Sequence, residues 1–267
     1  MTRWALGLEY DGARFCGWQS QSGVLTVQDT LEAALARVAD APVRVVAAGR
    51  TDTGVHALCQ VVHFDSDRLR PPEAFVRGTN SHLGHDVAVL WARVVSEAFH
   101  ARFAATGRSY RYVILNRSVR PGLWSGRVSF DYRALQIERM QEAAHALIGR
   151  HDFSAYRASQ CQAKTPVRTI RHLTVSRHGP FVVIRVEADA FLHHMVRNIA
   201  GVLCAIGAGE RPVSWAAEVL AERARTRGGV TAPPAGLYFE GPSYPERFGL
   251  PRPAADAWPW AMGSPSP

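Results

Sequence analysis

Trp4-Ala5-Leu6-Gly7-Leu8-Glu9-Tyr10-Asp11 alternates apolar and polar residues and reads as a β-strand. The order of elements after this strand decides the fold. Thr26-x-x-Asp29 has the pattern of a capping box, and Val27, Leu31, Ala34, Leu35 and Val38 recur at the spacing that places them on one helical face. Pro42 ends that helix. Val43–Ala48 and Leu58–Asp65 then read as two strands, Pro71–Leu83 as a second helix and Val87–Val95 as another strand. The first half is therefore expected to run βαββαβ.

The second half repeats the order without repeating the sequence. Tyr110–Asn116 is strand-like, and Leu135–Ile148 is a helix with apolar Ile137, Met140, Ala144, Leu147 and Ile148, ending at Gly149. Thr169–Arg177 and Phe181–Ala188 read as a hairpin turning at His178-Gly179-Pro180, followed by a helix from His193 to about Ile206. A further helix at Ser214–Arg223 precedes a closing strand at Leu237–Glu240. Two such copies predict an α+β protein of two ferredoxin-like modules. Their antiparallel sheets are expected to join into one central sheet with helices on one side and a cleft between the halves. The expected boundaries are 1–105 and 106–250, with a loose tail over 251–267 that is rich in Pro, Gly and Ser.

Composition narrows the class of protein. Of 267 residues 47% are hydrophobic and 20% charged, enough to bury a sizeable core and too apolar for a disordered chain. The four cysteines, Cys16, Cys59, Cys161 and Cys204, are far apart with no C-x-x-C pair, which argues against a zinc ribbon, a redox motif or a disulfide scaffold and for a reducing, cytoplasmic setting. Glu9 and Asp11 interrupt the start too early for a signal peptide, and no apolar run approaches membrane-spanning length, so neither a targeting segment nor a membrane association is expected.

Charge is distributed unevenly. Lys and Arg outnumber Asp and Glu by 31 to 23. Residues 101–175 alone hold 13 cations against 4 acids, whereas residues 1–100 hold 9 against 11. Lys164 is the only lysine, so compositional bias explains the preference for Arg but not its segregation. Arg102, Arg108, Arg111 and Arg117 alternate there with Phe99, Phe103, Tyr110 and Tyr112, a mixture of phosphate-binding cations and stacking rings that suits a nucleic acid. The aromatic signature of an RRM strand is absent.

Three segments carry candidate chemistry. Ala48-Gly49-Arg50-Thr51-Asp52-Thr53-Gly54-Val55-His56 places an Arg, an Asp and a His within a glycine-bounded turn at the end of a strand. A surface ion pair over a turn would explain the same residues. Phe191-Leu192-His193-His194-Met195-Val196-Arg197-Asn198 puts Arg197 on the first turn of an apolar helix, where burial is costly unless it meets a carboxylate or phosphate. The adjacent histidines do not suggest a metal, because neighbouring helical positions face apart and no set at ligand spacing accompanies them. In Ser109-Tyr110-Arg111-Tyr112-Val113, the tyrosines share one strand face; either one is core and the other a platform, or both rings pack beneath the sheet with their hydroxyls reaching the rim.

Gly49-Arg50-Thr51-Asp52, Phe99-His100-Ala101-Arg102-Phe103, Tyr110-Arg111-Tyr112, Arg177-His178-Gly179-Pro180 and Phe191-x-His193-His194-Met195-Val196-Arg197-Asn198 resemble, in order and spacing, the tRNA pseudouridine synthase A (TruA) family. Glu9-Tyr10-Asp11-Gly12, Gly17-Trp18-Gln19 and Gly236-Leu237-Tyr238 extend the resemblance from about Trp4 to Leu250. Thr53 stands where an alanine is usual, and Phe239 after Leu237-Tyr238 is a second minor departure.

The resemblance implies isomerisation of uridine to pseudouridine at positions 38, 39 and/or 40 of the tRNA anticodon stem-loop, without cofactor or metal, by a homodimer that flips the base out of the stem. It makes Asp52 the nucleophile, with Arg50 and Arg197 keeping it ionised and aimed, Tyr110 beside the uracil and Leu237 on the base's other side. The residues expected to meet substrate are Tyr110, Leu237, Phe99, His100, Arg102, Arg108, Arg111 and His194. The competing readings are a non-catalytic RNA-binding protein, a pseudouridine synthase for other RNA positions and, more distantly, a glycoside hydrolase. The last would want a second carboxylate near Asp52.

Overall fold

A computed structural model describes residues 1–68 and 70–251. The expected tail, from residue 252 on, lies outside them. The chain divides into two compact units, one of residues Met1–Thr106 together with the segment from Phe239, the other of Gly107–Tyr238. Residues 239–250, expected with the second module, thus lie with the first. The reason is packing, because Tyr244 and Phe248 close on the ring of Phe99 at 5.1 and 5.2 Å, and the carbonyl of Ser243 accepts from the Thr106 amide.

In the first unit β1 (Thr2–Tyr10) leads through the short turn Gly12–Arg14 to α1 (Val27–Ala39), β2 (Val46–Ala47) and β3 (His56–Ser66). A wide π-type turn, Ala74–Gly78, and α2 (Thr79–His82) precede β4 (Val87–Val94). The antiparallel order is β4-β1-β3, with β2 also paired to β3. Thr26 caps the helix as expected, since its Oγ1 accepts from the Asp29 amide at 3.2 Å. Two expectations are corrected. The strand at 43–48 shrinks to two residues, and the helix at 71–83 becomes one wide turn and one short helix.

β1 is also not half-solvated as its alternation implies. Trp4 through Leu8 are all buried, because both faces of the sheet are covered. Trp4 and Phe64 pack on Phe75 of the π-type turn, while Ala5, Cys59 and Val61 form a second layer with Phe99 and Ala101. Gly7 is required in that layer, since a Cβ there would lie 2.2 Å from the Trp91 indole.

The second unit contains β5 (Gly107–Asn116), β6 (Ser129–Asp131), α3 (Ile137–His145), β7 (Gly149–Asp152), β8 (Val167–His178), β9 (Phe181–Ala188), α4 (Met195–Gly207) and α5 (Trp215–Glu222). Its antiparallel order is β5-β9-β8-β7, with β6 parallel on β5. β6 and β7 are additional to the expected order; both are too short, at three and four residues, to show periodicity. β10 (Leu237–Ser243) begins in this unit and continues into the first. The class is α+β, as expected. Among the described residues no helix is long and apolar enough to cross a membrane.

Candidate functional site

The turn between β2 and β3 carries Arg50 and Asp52, and its backbone is held from several sides. Thr51 is buried; its hydroxyl shares a 2.8 Å hydrogen bond with the Tyr10 phenol, and its carbonyl accepts from the Trp18 amide at 3.0 Å. Burial raises the Tyr10 pKa, so that phenol stays protonated. Gln60, fully buried on β3, donates from Nε2 to the Gly49 carbonyl at 2.7 Å. Asp52 itself closes the turn, its carbonyl accepting from the Val55 amide at 3.1 Å.

Two glycines make room for this. Gly17 has φ +83°, and a Cβ on it would stand 2.7 Å from the Thr51 carbonyl oxygen. A Cβ on Gly12 would stand 1.9 Å from that of Val55. His56, at the start of β3, is buried, and its Nδ1 accepts from the Gly12 amide at 3.0 Å. The result is a fixed turn with an exposed Arg50 and a half-buried Asp52. Gln60 is not among the residues expected at the site, although a Gln amid the apolar run Leu58–Val62 is a signal for it.

The 95–104 segment of the same unit separates its expected substrate contacts. Phe99 is wholly buried against Tyr244 and Phe248, so its expected contact with substrate is corrected to a packing role. His100 and Arg102 lie nearer solvent. His63 supports this segment from β3, its Nδ1 accepting from the Ala101 amide at 3.1 Å. Burial, then His100 and Arg3, lower the His63 pKa to about 4.

In the second unit the two tyrosines of β5 part company. Tyr112 is core, its hydroxyl donating to the Pro233 carbonyl at 2.9 Å. Tyr110 is half-buried, meeting Phe191 edge to face at 5.0 Å. Arg108 donates to the Asp189 carbonyl at 3.0 Å. Arg111 stands directly across from Arg185 on β9. Leu237 is buried at the start of β10.

Helix α4 starts two residues later than expected, at Met195. His193 and His194 therefore precede the helix, and His194 adopts a left-handed conformation at φ +61°. This corrects the expectation that the two rings face apart, for their centroids lie 4.0 Å from each other. Arg197, on the first turn of α4, donates from Nε to the Ala232 carbonyl at 2.7 Å. Its neighbour Asn198 is buried. It donates to the Tyr156 carbonyl and accepts from Thr231 Oγ1, both at 2.7 Å, tying α4 to the 225–233 loop.

A fold of this class with an Arg-Thr-Asp turn has close counterparts. A family model described as tRNA pseudouridine synthase matches residues 8–104 and 143–245. A tRNA pseudouridine synthase A of Nitrosococcus oceani is 58% identical over 94% of this chain and 96% of its own length. Those of Thiobacillus denitrificans and Pseudomonas aeruginosa are each 54% identical, over 98% and 94% of this chain and 100% and 88% of their own. The class is thereby defined as the pseudouridine synthases, enzymes that isomerise uridine in RNA. Within it, the chain belongs to the tRNA pseudouridine synthase family.

Proposed function

We propose that this enzyme converts uridine to pseudouridine at positions 38, 39 and/or 40 of the tRNA anticodon stem-loop, with Asp52 as the nucleophile. The observation that carries the reading is the Gly49–Val55 turn. A carboxylate stands in it on a backbone that Tyr10, Trp18 and Gln60 immobilise, in a chain alike over nearly its whole length to synthases of that name.

The reaction breaks the N1–C1′ bond of uridine, rotates the uracil and forms a C5–C1′ bond; C5 loses its proton and N1 gains one. An ionised carboxylate serves it by attacking C1′ or the base, or by taking a proton in an elimination. Arg50 and Arg197 aim the Asp52 carboxylate, since the fork geometry of a guanidinium fixes the direction of the carboxylate it meets. Tyr110 lies beside the uracil and assists removal of the C5 proton, and Leu237 supports the base from its other side. His100, Arg102, Arg108, Arg111 and His194 hold the RNA, and their contacts offset the few kcal/mol, roughly, that extruding a stacked base costs. The protein works in the cytoplasm as a homodimer, with no cofactor or metal.

Tritium release from C5-labelled uridine in unmodified tRNA tests the reading. Wild-type protein releases tritium, while Asp52→Ala and Asp52→Asn release none yet still retain tRNA on a filter. Retention without release by all three would make the chain a binding protein.

A further inference from the structure

Phe103 is the most exposed aromatic ring of the 95–104 segment, at 75% of its surface, yet the segment beneath it is held by hydrogen bonds along its length. Arg3 donates from Nη1 to the carbonyls of Glu97 and Phe99, at 2.6 and 3.0 Å. His63 takes the Ala101 amide, and the Tyr244 hydroxyl donates to the Ala101 carbonyl at 2.6 Å. The amides of Arg102 and Phe103 both donate to Nδ1 of His100, each at 3.2 Å, and the Ala104 amide closes on the His100 carbonyl at 2.9 Å.

The ring is also placed by its neighbours. Its inner face stacks on the His100 imidazole, centroids 4.3 Å apart at 28°, and that imidazole rests on His63 at 4.7 Å. The guanidinium carbon of Arg102 lies 5.6 Å from the ring centroid. Burial and the charge of Arg3 lower the His100 pKa, so the stack is uncharged at neutral pH apart from Arg102. A bare phenyl ring is costly to leave in water, and a flexible one would fold onto apolar surface. Here the backbone is fixed so that the ring stays presented, with a cation beside it.

We propose that Phe103 is a stacking platform for an unpaired nucleobase of the RNA substrate, with Arg102 on the adjoining phosphate. The π-face of a ring accepts any base, and the flanking guanidinium adds charge attraction to the backbone, the combination by which proteins hold unstacked nucleotides. The proposal rests on the tRNA-modifying reading above but names a contact which that reading leaves out: the ring that meets RNA in Phe99–Phe103 is the last one.

The test uses full-length wild type and Phe103→Ala, Phe103→Leu, Phe103→Tyr and Phe103→Trp, with tRNA retention, KM for tritium release, thermal melting and sedimentation measured together. The expected result is a Kd and a KM raised about ten- to a hundredfold in Phe103→Ala and Phe103→Leu, in the range of one lost base stack. Phe103→Tyr and Phe103→Trp restore both to within about threefold, a recovery that aromaticity alone explains. Melting and sedimentation stay as in wild type throughout. Wild-type binding by Phe103→Ala overturns the proposal, as does full restoration by Phe103→Leu, which would mean a generic apolar contact. A changed sedimentation coefficient overturns it in favour of a protein–protein contact. Because retention needs no catalysis, failure of the tritium assay with ring-dependent binding intact would refute the enzymatic reading and leave the platform standing.

Discussion

At the scale of single residues, His63 shows what burial does to a titratable group whose ring serves as a structural acceptor. Its pKa of about 4 lies below the ordinary 6.5, so the folded state resists protonation while the unfolded chain takes the proton readily. Stability from this group is complete above pH 6.5 and is lost as pH falls through 6.5 toward 4, by up to about 3 kcal/mol. His63→Asn keeps an acceptor for the Ala101 amide but cannot titrate. Denaturant unfolding at pH 7 and pH 4.5 should show a smaller loss for the variant than for wild type; equal losses would remove His63 from the acid response. Under the Gly49–Val55 turn, Tyr10→Phe and Thr51→Val each remove one partner of the 2.8 Å bond. Each should cost about 1 kcal/mol or somewhat more, and the double variant less than the sum, as read by thermal melting.

Elements are where these residues gain their positions. The turn at 48–56 can hold Asp52 only because glycines 12 and 17 let the segment after β1 run against it without side chains. Gly17→Ala forces a Cβ against the Thr51 carbonyl and demands a left-handed conformation of alanine, so it should lower stability by about 1–3 kcal/mol and tritium release more than tenfold. Circular dichroism melts beside the release assay separate the two effects. On α4, Asn198→Ala leaves the Tyr156 carbonyl and the Thr231 hydroxyl without their shared partner. A loss of about 2–3 kcal/mol is expected by chemical denaturation. The shortening of β2 belongs to this scale as well. Arg44, Val45 and their neighbours have good strand propensity, but Glu32 of α1 takes the Val45 amide at 3.0 Å and pairs with Arg44, so this backbone is satisfied by a helix side chain before a ladder can form.

For the whole molecule, the formal charge of +8 predicts that tRNA affinity falls steeply with salt, since cations that neutralise phosphates release counterions. Replacing the exposed Arg102 with Gln should weaken binding and reduce the slope of log Kd against log salt by about one, measured by filter retention from about 50 to 200 mM salt. The α+β class, most element positions and the Arg50–Asp52 turn were legible in the sequence, because periodicity, turn residues and caps are local properties of the chain. Which of Phe99 and Phe103 is buried, which of Tyr110 and Tyr112 is core, and that Gln60 and Tyr10 hold the Gly49–Val55 turn were decided by tertiary structure. So was the placement of residues 239–250 with the first unit. In each case the deciding partner is remote in sequence: Tyr244 and Phe248 for Phe99, Pro233 for Tyr112, Gly49 for Gln60. Spacing along the chain fixes which side of an element a residue occupies, but what covers that side depends on packing between segments that no local pattern encodes.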